Sequence, residues 1–216
     1  MERIGRLLVI DTATEALSVA LFVGETLIDH HHEISGRGHA EKLIPAIAAL
    51  PDGGHADEIW VNSGPGSFTG IRVGLAAARA LGFAWGAQLR TYSSLALLAA
   101  IARENDAENG IVSVALTGGH GELFWQEFDS VTLDPLMAAL SVPVSELAQT
   151  ANASIVYGTG AQTLVTTRGY GEARPLYPGA RSALLLSVKH MSLDASAHYG
   201  READAKPAIA MIAPIS

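Results

Sequence analysis

The chain has 216 residues, 49% of them hydrophobic, enough to build one large core or two smaller ones and to mark a folded, soluble protein. Its formal charge is −8 with only 17% charged residues, so the summed field repels phosphate backbones and disfavours direct, unaided binding of nucleic acid. Cysteine is absent, which removes disulfides, thiolate metal sites and thiol catalysis together.

The opening Met1-Glu-Arg-Ile-Gly-Arg6 leads into a strand-length run and not into a signal-peptide core. No stretch approaches about 18 uninterrupted apolar residues, so a cytoplasmic protein without membrane contact is expected. Leu7–Ile10 reads as a buried strand ending in Asp11-Thr-Ala-Thr-Glu15. Leu17–Val23 and Thr26–Ile34 follow as strands about a Gly24-Glu25 turn, giving a three-strand meander. An acid at the end of the first strand is where one family of phosphotransferases presents a carboxylate to phosphate and magnesium. The plainer reading has Asp11 accepting hydrogen bonds from the amides of its own turn.

His30, His31 and His32 alternate between the faces of their strand, so all three cannot meet one metal, and strand-edge polar roles are expected. A helix follows over His39–Leu50, with Leu43, Ile44, Ile47 and Leu50 inward and Pro45 kinking it or marking its first turn. A helical metal pair would need a second ligand four residues after His39, where Leu43 stands, and a solvated or interface histidine is expected instead.

Asp57–Asn62 reads as the strand that delivers Gly64-Pro-Gly-Ser-Phe-Thr-Gly70, a loop of small residues opening a helix from about Thr69 to Trp85. Pro65 stiffens this loop, and Ser67 or Thr69 can cap the helix amides, an arrangement that attracts anions. Ile71, Leu75, Ala78, Leu81 and Trp85 form its core face. Arg72, Ala76, Arg79 and Phe83 share a second face, which is equally explained as ordinary solvated surface. Gly70, Gly74 and Ala78 make a stripe where another backbone could come close. Because Gly74 costs a helix roughly 1 kcal/mol relative to Ala, close packing is expected there.

Tyr92–Ala102 reads as a third helix capped near Ser93, and the polar run Arg103–Gly110 reads as a domain boundary. Strand Ile111–Leu116, a Thr117–Gly121 turn and strand Glu122–Phe128 form a hairpin. Ser154–Tyr157 runs into Gly158-Thr-Gly160 and a helix, and Ser182–His190 gives a last amphipathic helix. A lone Gly-x-Gly is weak support for phosphate binding, and an ordinary strand-to-helix turn explains it. Repeats and heptad seams are absent from the sequence. Gly70 is followed by Ile71-Arg72 and not by Lys-Ser/Thr, so the loop is no phosphate-binding P-loop. Ser67 is spaced wrongly for a nucleophile elbow, and no His-Glu-x-x-His occurs.

Ile10–Leu21, His39–Ile47, Gly64–Ala78 and Ser94-Leu95, with fainter echoes in Gly121–Trp125, Tyr157–Gly160 and Tyr199–Lys206, resemble the bacterial TsaB (YeaZ) family, long labelled glycoprotease-like. The resemblance implies an α/β actin/sugar-kinase/Hsp70-like fold of two lobes, residues 1–104 and a degenerate 105–216. It further implies a non-catalytic partner, with no catalytic and no metal residues of its own, in the synthesis of threonylcarbamoyladenosine beside the tRNA anticodon. The implied partners are a TsaD-like catalytic subunit and a TsaE-like ATPase, with a homodimer when the chain is alone and tRNA reached only through the complex. No cofactor is expected on this chain, and ATP is used by the complex. His39, Leu43, Ile47, Arg72, Ala76, Arg79 and Phe83 are carried over as partner-interface residues. Gly64, Pro65, Gly66, Ser67, Phe68, Thr69 and Gly70 are the motif loop, and Asp11, Thr12 and Thr14 a vestigial phosphate site. The chain departs from the family pattern at Thr117-Gly118-Gly119, where an acid and a base are usual, and at Ala13, where nucleotide-binding relatives carry glycine. The alternative reading is a small-molecule phosphotransferase of the sugar- or acetate-kinase type using Asp11.

Overall fold

Ten strands form two five-stranded sheets built on one plan in the computed structural model, which describes residues 5–36, 38–105 and 110–198. The first contains β1 (Arg6–Asp11), β2 (Ala16–Val23), β3 (Thr26–Ile34), β4 (Glu58–Asn62) and β5 (Gln88–Tyr92) in the order β3-β2-β1-β4-β5. β1, β2 and β3 run antiparallel, and β4 and β5 add parallel to β1. The second sheet repeats this with β6 (Ile111–Thr117), β7 (Glu122–Asp129), β8 (Leu140–Pro143), β9 (Ile155–Tyr157) and β10 (Glu172–Arg174), in the order β10-β9-β6-β7-β8. The repeat is one of topology, invisible as sequence similarity.

Helices alternate with the sheets in layers. α1 (His39–Ala48) and α2 (Phe68–Trp85) cover one face of the first sheet, where Leu43, Ile47, Ile71, Leu75 and Ala78 meet Leu8, Ile10, Val19 and Val61. α3 (Ser94–Asn105) lies between the sheets and packs against Val9, Phe22 and Trp60 on one side and Val114, Leu116 and Phe124 on the other. That position explains its sequence, because a helix apolar all round must be covered all round. α4 (Val144–Thr150) and α5 (Ala161–Arg168) cover the far face of the second sheet against Ala115, Leu123 and Trp125.

The expected meander, hairpin and first two helices are present, and His30, His31 and His32 are exposed on the edge strand β3. Several expectations need correction. Ile44 is 50% exposed, because the α1 stripe that meets the sheet runs through His39, Leu43 and Ile47. Tyr92 ends strand β5 and does not begin a helix; the polar Gln88 and Arg90 mask a strand that closes the parallel edge. Ser182–His190 is no α-helix but parts of two 3₁₀ turns, Ala180–Leu185 and Val188–His190. Ala180, Ala183 and Leu186 are all buried, a spacing of three that suits a 3₁₀ turn rather than a 3.6-residue period. The β8-α4 unit and β10 have short, weakly patterned sequences that carry no element signal of their own. The expected boundary at Arg103–Gly110 falls partly on residues 106–109, and the Tyr199–Lys206 resemblance wholly on later ones, outside the described residues.

Candidate functional site

The carboxyl ends of β1, β4 and β5 converge beneath the glycine-rich loop, and a buried hydrogen-bond network ties them together. Asp11 is fully buried. Its Oδ2 accepts from Asn62 Nδ2 at 2.8 Å and from the Tyr92 hydroxyl at 3.1 Å, while Oδ1 accepts from the Ala13 amide at 3.2 Å. Asn62 Oδ1 in turn accepts from the Gly64 amide at 2.8 Å and from Ser94 Oγ at 2.9 Å. The Ser94 amide donates to the Gly64 carbonyl at 2.9 Å. One carboxylate thus fixes the start of the loop and the start of α3.

Burial raises the Asp11 pKa to about 6, with the hydrogen bonds from Asn62, Ala13 and Tyr92 pulling the other way. Tyr92 is pushed well above the usual phenol range, first by burial and then by the Asp11 charge. Asp11 therefore accepts from its own turn, as the plainer reading expects, and also from Asn62 and Tyr92. It presents no oxygen to solvent. Thr12 Oγ1 donates to the Gly70 carbonyl at 2.7 Å, and Thr14 Oγ1 accepts from the Ala16 amide at 3.2 Å. Asp11, Thr12 and Thr14, expected as a vestigial phosphate site, each make internal hydrogen bonds here.

The loop is held against the β1-β2 turn at backbone contact distance. Gly64 adopts φ +107°, its peptide to Pro65 is cis, and the Ser67 amide donates to the Ala13 carbonyl at 2.7 Å. A Cβ on Gly66 would stand 2.0 Å from the Ala13 carbonyl oxygen, one on Gly70 2.0 Å from that of Thr12, and one on Gly74 2.5 Å from Thr12 Oγ1. The backbone expected beside the small-residue stripe is therefore the Thr12-Ala13 turn. Ser67, and not Thr69, caps α2 by accepting from the Gly70 amide at 3.2 Å. Gly158 after β9 has the same φ, +107°, and occupies the topologically equivalent place in the second sheet.

On the outer side of α2, Arg72, Ala76, Arg79 and Phe83 are all exposed, Phe83 at 94%. The Arg72 guanidinium lies 3.6 Å over the Phe68 ring, and Arg79 donates to the Ala195 carbonyl at 2.7 Å. Both cations are pre-positioned on the chain's own surface. The other three expected interface positions are corrected: Leu43 and Ile47 are core residues, and His39 is buried with Nε2 2.8 Å from the Thr14 carbonyl. His39 is neither solvated nor at a surface, because α1 starts directly over the β1-β2 turn. Across the loop, Thr14, Glu15 and Ser67 face Thr117, Gly118, Gly119 and Thr159 over a cleft of about 240 Å³. No Lys or Arg lines this cleft among the described residues. Also among the described residues, no group of three His, Asp or Glu could hold a metal ion, and no helix is long and apolar enough to cross a membrane.

Sequence reasoning placed the loop, the cap and the outer face of α2 but missed Asn62, Tyr92 and Ser94. A polar residue closing an apolar strand, as Asn62 does, was the available signal.

The family model described as TsaD, tRNA N6-adenosine threonylcarbamoyltransferase, matches residues 28–165. A relative from Escherichia coli (strain K12) named tRNA threonylcarbamoyladenosine biosynthesis protein TsaB is 35% identical over 130 residues, covering 57% of this chain and 54% of that protein. The chain is a member of the TsaD-like family, in its TsaB (YeaZ) branch. A TsaB from Haemophilus influenzae is 37% identical over 115 residues, 50% of this chain and 48% of its own length. The chain spans about half the length of the curated TsaB relatives it matches. The solved structure of YeaZ from Pseudomonas aeruginosa superposes with a TM-score of 0.71 at 27% identity, over 83% of this chain and 88% of that one. The two sheets of repeated plan are accordingly those of the actin-like fold that the TsaB resemblance implies.

Proposed function

We propose that this chain is a non-catalytic partner subunit in the synthesis of tRNA threonylcarbamoyladenosine, docking and activating a TsaD-like catalytic subunit through the outer face of α2. The observation that carries this reading is that face itself. It sets an almost fully exposed aromatic, Phe83, beside a small Ala76 and two cations already braced by Phe68 and by Ala195. An aromatic-and-arginine patch of low conformational freedom is what a protein interface uses as its anchor. Beneath it, the glycine-to-backbone contacts lock α2 to the β1-β2 turn, so the face is presented rigidly.

The site interior supports an adapter over the kinase alternative. A phosphotransferase acid must reach phosphate or magnesium, whereas the Asp11 oxygens are held by Asn62, Tyr92 and Ala13 at zero exposure. Among the described residues, the cleft beside it offers Glu15 and hydroxyls in place of cations, a poor cradle for nucleotide phosphates. In this reading ATP and a TsaE-like ATPase act in the assembled complex, tRNA is reached through the catalytic subunit because this chain carries −8, and the same α2 face serves a homodimer when the partner is missing. The complex works in the cytoplasm, and residues 1–104 form the partner-binding lobe. Reconstitution tests the proposal: tRNA modification by the TsaD-like subunit should depend on this chain and fail with Ala76→Arg. Full-rate modification without the chain would refute it.

A further inference from the structure

Within the second sheet, β6 and β9 are neighbours that share the ladder pair Val114↔Tyr157. Ile111–Ser113 on one side and Ser154-Ile155 on the other line a cavity of about 820 Å³. Trp125, Met137 and Leu147 supply its apolar wall, with Trp125 only 4% exposed.

Among the described residues, two formal charges line this cavity, and they are opposite. Arg103, in the last turn of α3, makes one long contact to the Val131 carbonyl at 3.5 Å. Glu127, on β7, accepts from the buried Ser113 hydroxyl at 3.3 Å. Neither forms an ion pair with the other or with any other described residue. A neutral occupant would leave both charges unmatched, and an occupant with one charge would leave one. A molecule carrying an ammonium and a carboxylate on an apolar body matches Glu127, Arg103 and the Trp125 wall together. We propose that the slot between β6 and β9 binds a small apolar zwitterion, a free amino acid or a short peptide, independently of the partner-binding face.

The test uses the chain alone, with the Trp125 indole resonance assigned through Trp125→Phe. L-Leucine and L-leucyl-L-leucine are titrated beside 4-methylpentanoate and isoamylamine, which each carry one of the two charges. At least one zwitterion should shift the indole signal at concentrations up to about 10 mM, and each single-charge analogue should bind at least about tenfold more weakly. A tighter dipeptide assigns a peptide occupant; tighter leucine assigns an amino acid. Arg103→Gln and Glu127→Gln should each lose about tenfold in affinity at an unchanged melting midpoint. No shift with either zwitterion, or equal binding of the single-charge analogues, overturns the proposal whether or not the variants fold.

Discussion

Gly70→Ala and Gly82→Ala are the same substitution in the same helix, and the structure predicts effects of opposite sign. At Gly70 the added methyl would stand 2.0 Å from the Thr12 carbonyl oxygen, against an ordinary contact beginning near 3.4 Å, so roughly 1 Å or more of movement is required. Neither neighbour yields cheaply. Thr12 and Ala13 are fully buried, and Thr12 Oγ1 bonds the Gly70 carbonyl itself. Overpacking of this kind costs about 1–3 kcal/mol, and losing the buried hydrogen bond about 1 kcal/mol more. The helix-propensity gain of up to about 1 kcal/mol recovers only part of this at a first-turn position. The net loss should be about 2 kcal/mol, which lowers the urea midpoint by about 1 M at unchanged slope. At Gly82 the methyl would meet the Ala87 carbonyl oxygen at 3.5 Å and Ile59 at 4.0 Å, ordinary contacts, so the propensity gain survives as up to about 1 kcal/mol of stabilisation. Urea denaturation followed by far-ultraviolet circular dichroism reads both. A Gly70→Ala variant as stable as wild type, with the same slope, would refute the claim that α2 is seated by backbone contact.

Asp11 gives a pH signature. Its pKa is raised on folding from 3.8 to about 6, so the native state holds the proton more tightly, and the stability this group contributes is present below pH 4 and lost as pH rises through 6. In Asp11→Asn the new NH2 must face a donor, the Ala13 amide in one orientation and Asn62 Nδ2 with the Tyr92 hydroxyl in the other, so the variant should be less stable by about 1–3 kcal/mol and its stability should vary less between pH 4.5 and 7.5; parallel profiles for the two proteins would contradict this. Thr12→Val removes the donor to the buried Gly70 carbonyl and should cost about 1–3 kcal/mol by urea midpoint, whereas an unchanged midpoint would mean the carbonyl finds another partner. Phe83→Ala should leave the melting midpoint unchanged, since the ring is 94% exposed, while weakening association with the TsaD-like subunit by at least about tenfold in a titration. Equal affinity of the two proteins would remove Phe83 from the interface.

Much of the first sheet was legible because its signals are local. Apolar runs of strand length, the Gly24-Glu25 turn, and a serine placed to cap a helix of 3.6-residue period each act within a few residues of themselves. The stripe Gly70-Gly74-Ala78 announced a close neighbour but could not name it, since Thr12 lies 58 positions from Gly70 in the chain. Long-range pairing also decided the errors. Tyr92 read as the start of an apolar helix because its strand is completed only by the Asp57–Asn62 segment, and its hydroxyl finds Asp11 across 81 positions. His39 looked like surface polarity until the turn carrying Thr14 folded over it. Ser182–His190 had helical-looking apolar content, yet the spacing of Ala180, Ala183 and Leu186 was set by the sheet and by Ser18, whose hydroxyl accepts from the Ala180 amide at 2.9 Å. In the second sheet the outer strands β8 and β10, of four and three residues, offer too short a pattern for periodicity to register.

The central claim is that the outer face of α2 docks a TsaD-like subunit. Size-exclusion chromatography with light scattering of this chain, alone and mixed with the TsaD-like subunit from the same organism, tests it most directly when repeated with Ala76→Arg, which puts a long charged side chain on that face and leaves Ile71, Leu75 and Ala78 untouched. The account predicts a heterodimer mass with the wild-type chain and separate components with a variant that melts at the wild-type temperature. A heterodimer that survives Ala76→Arg, or none with the wild-type chain under any condition, would contradict it.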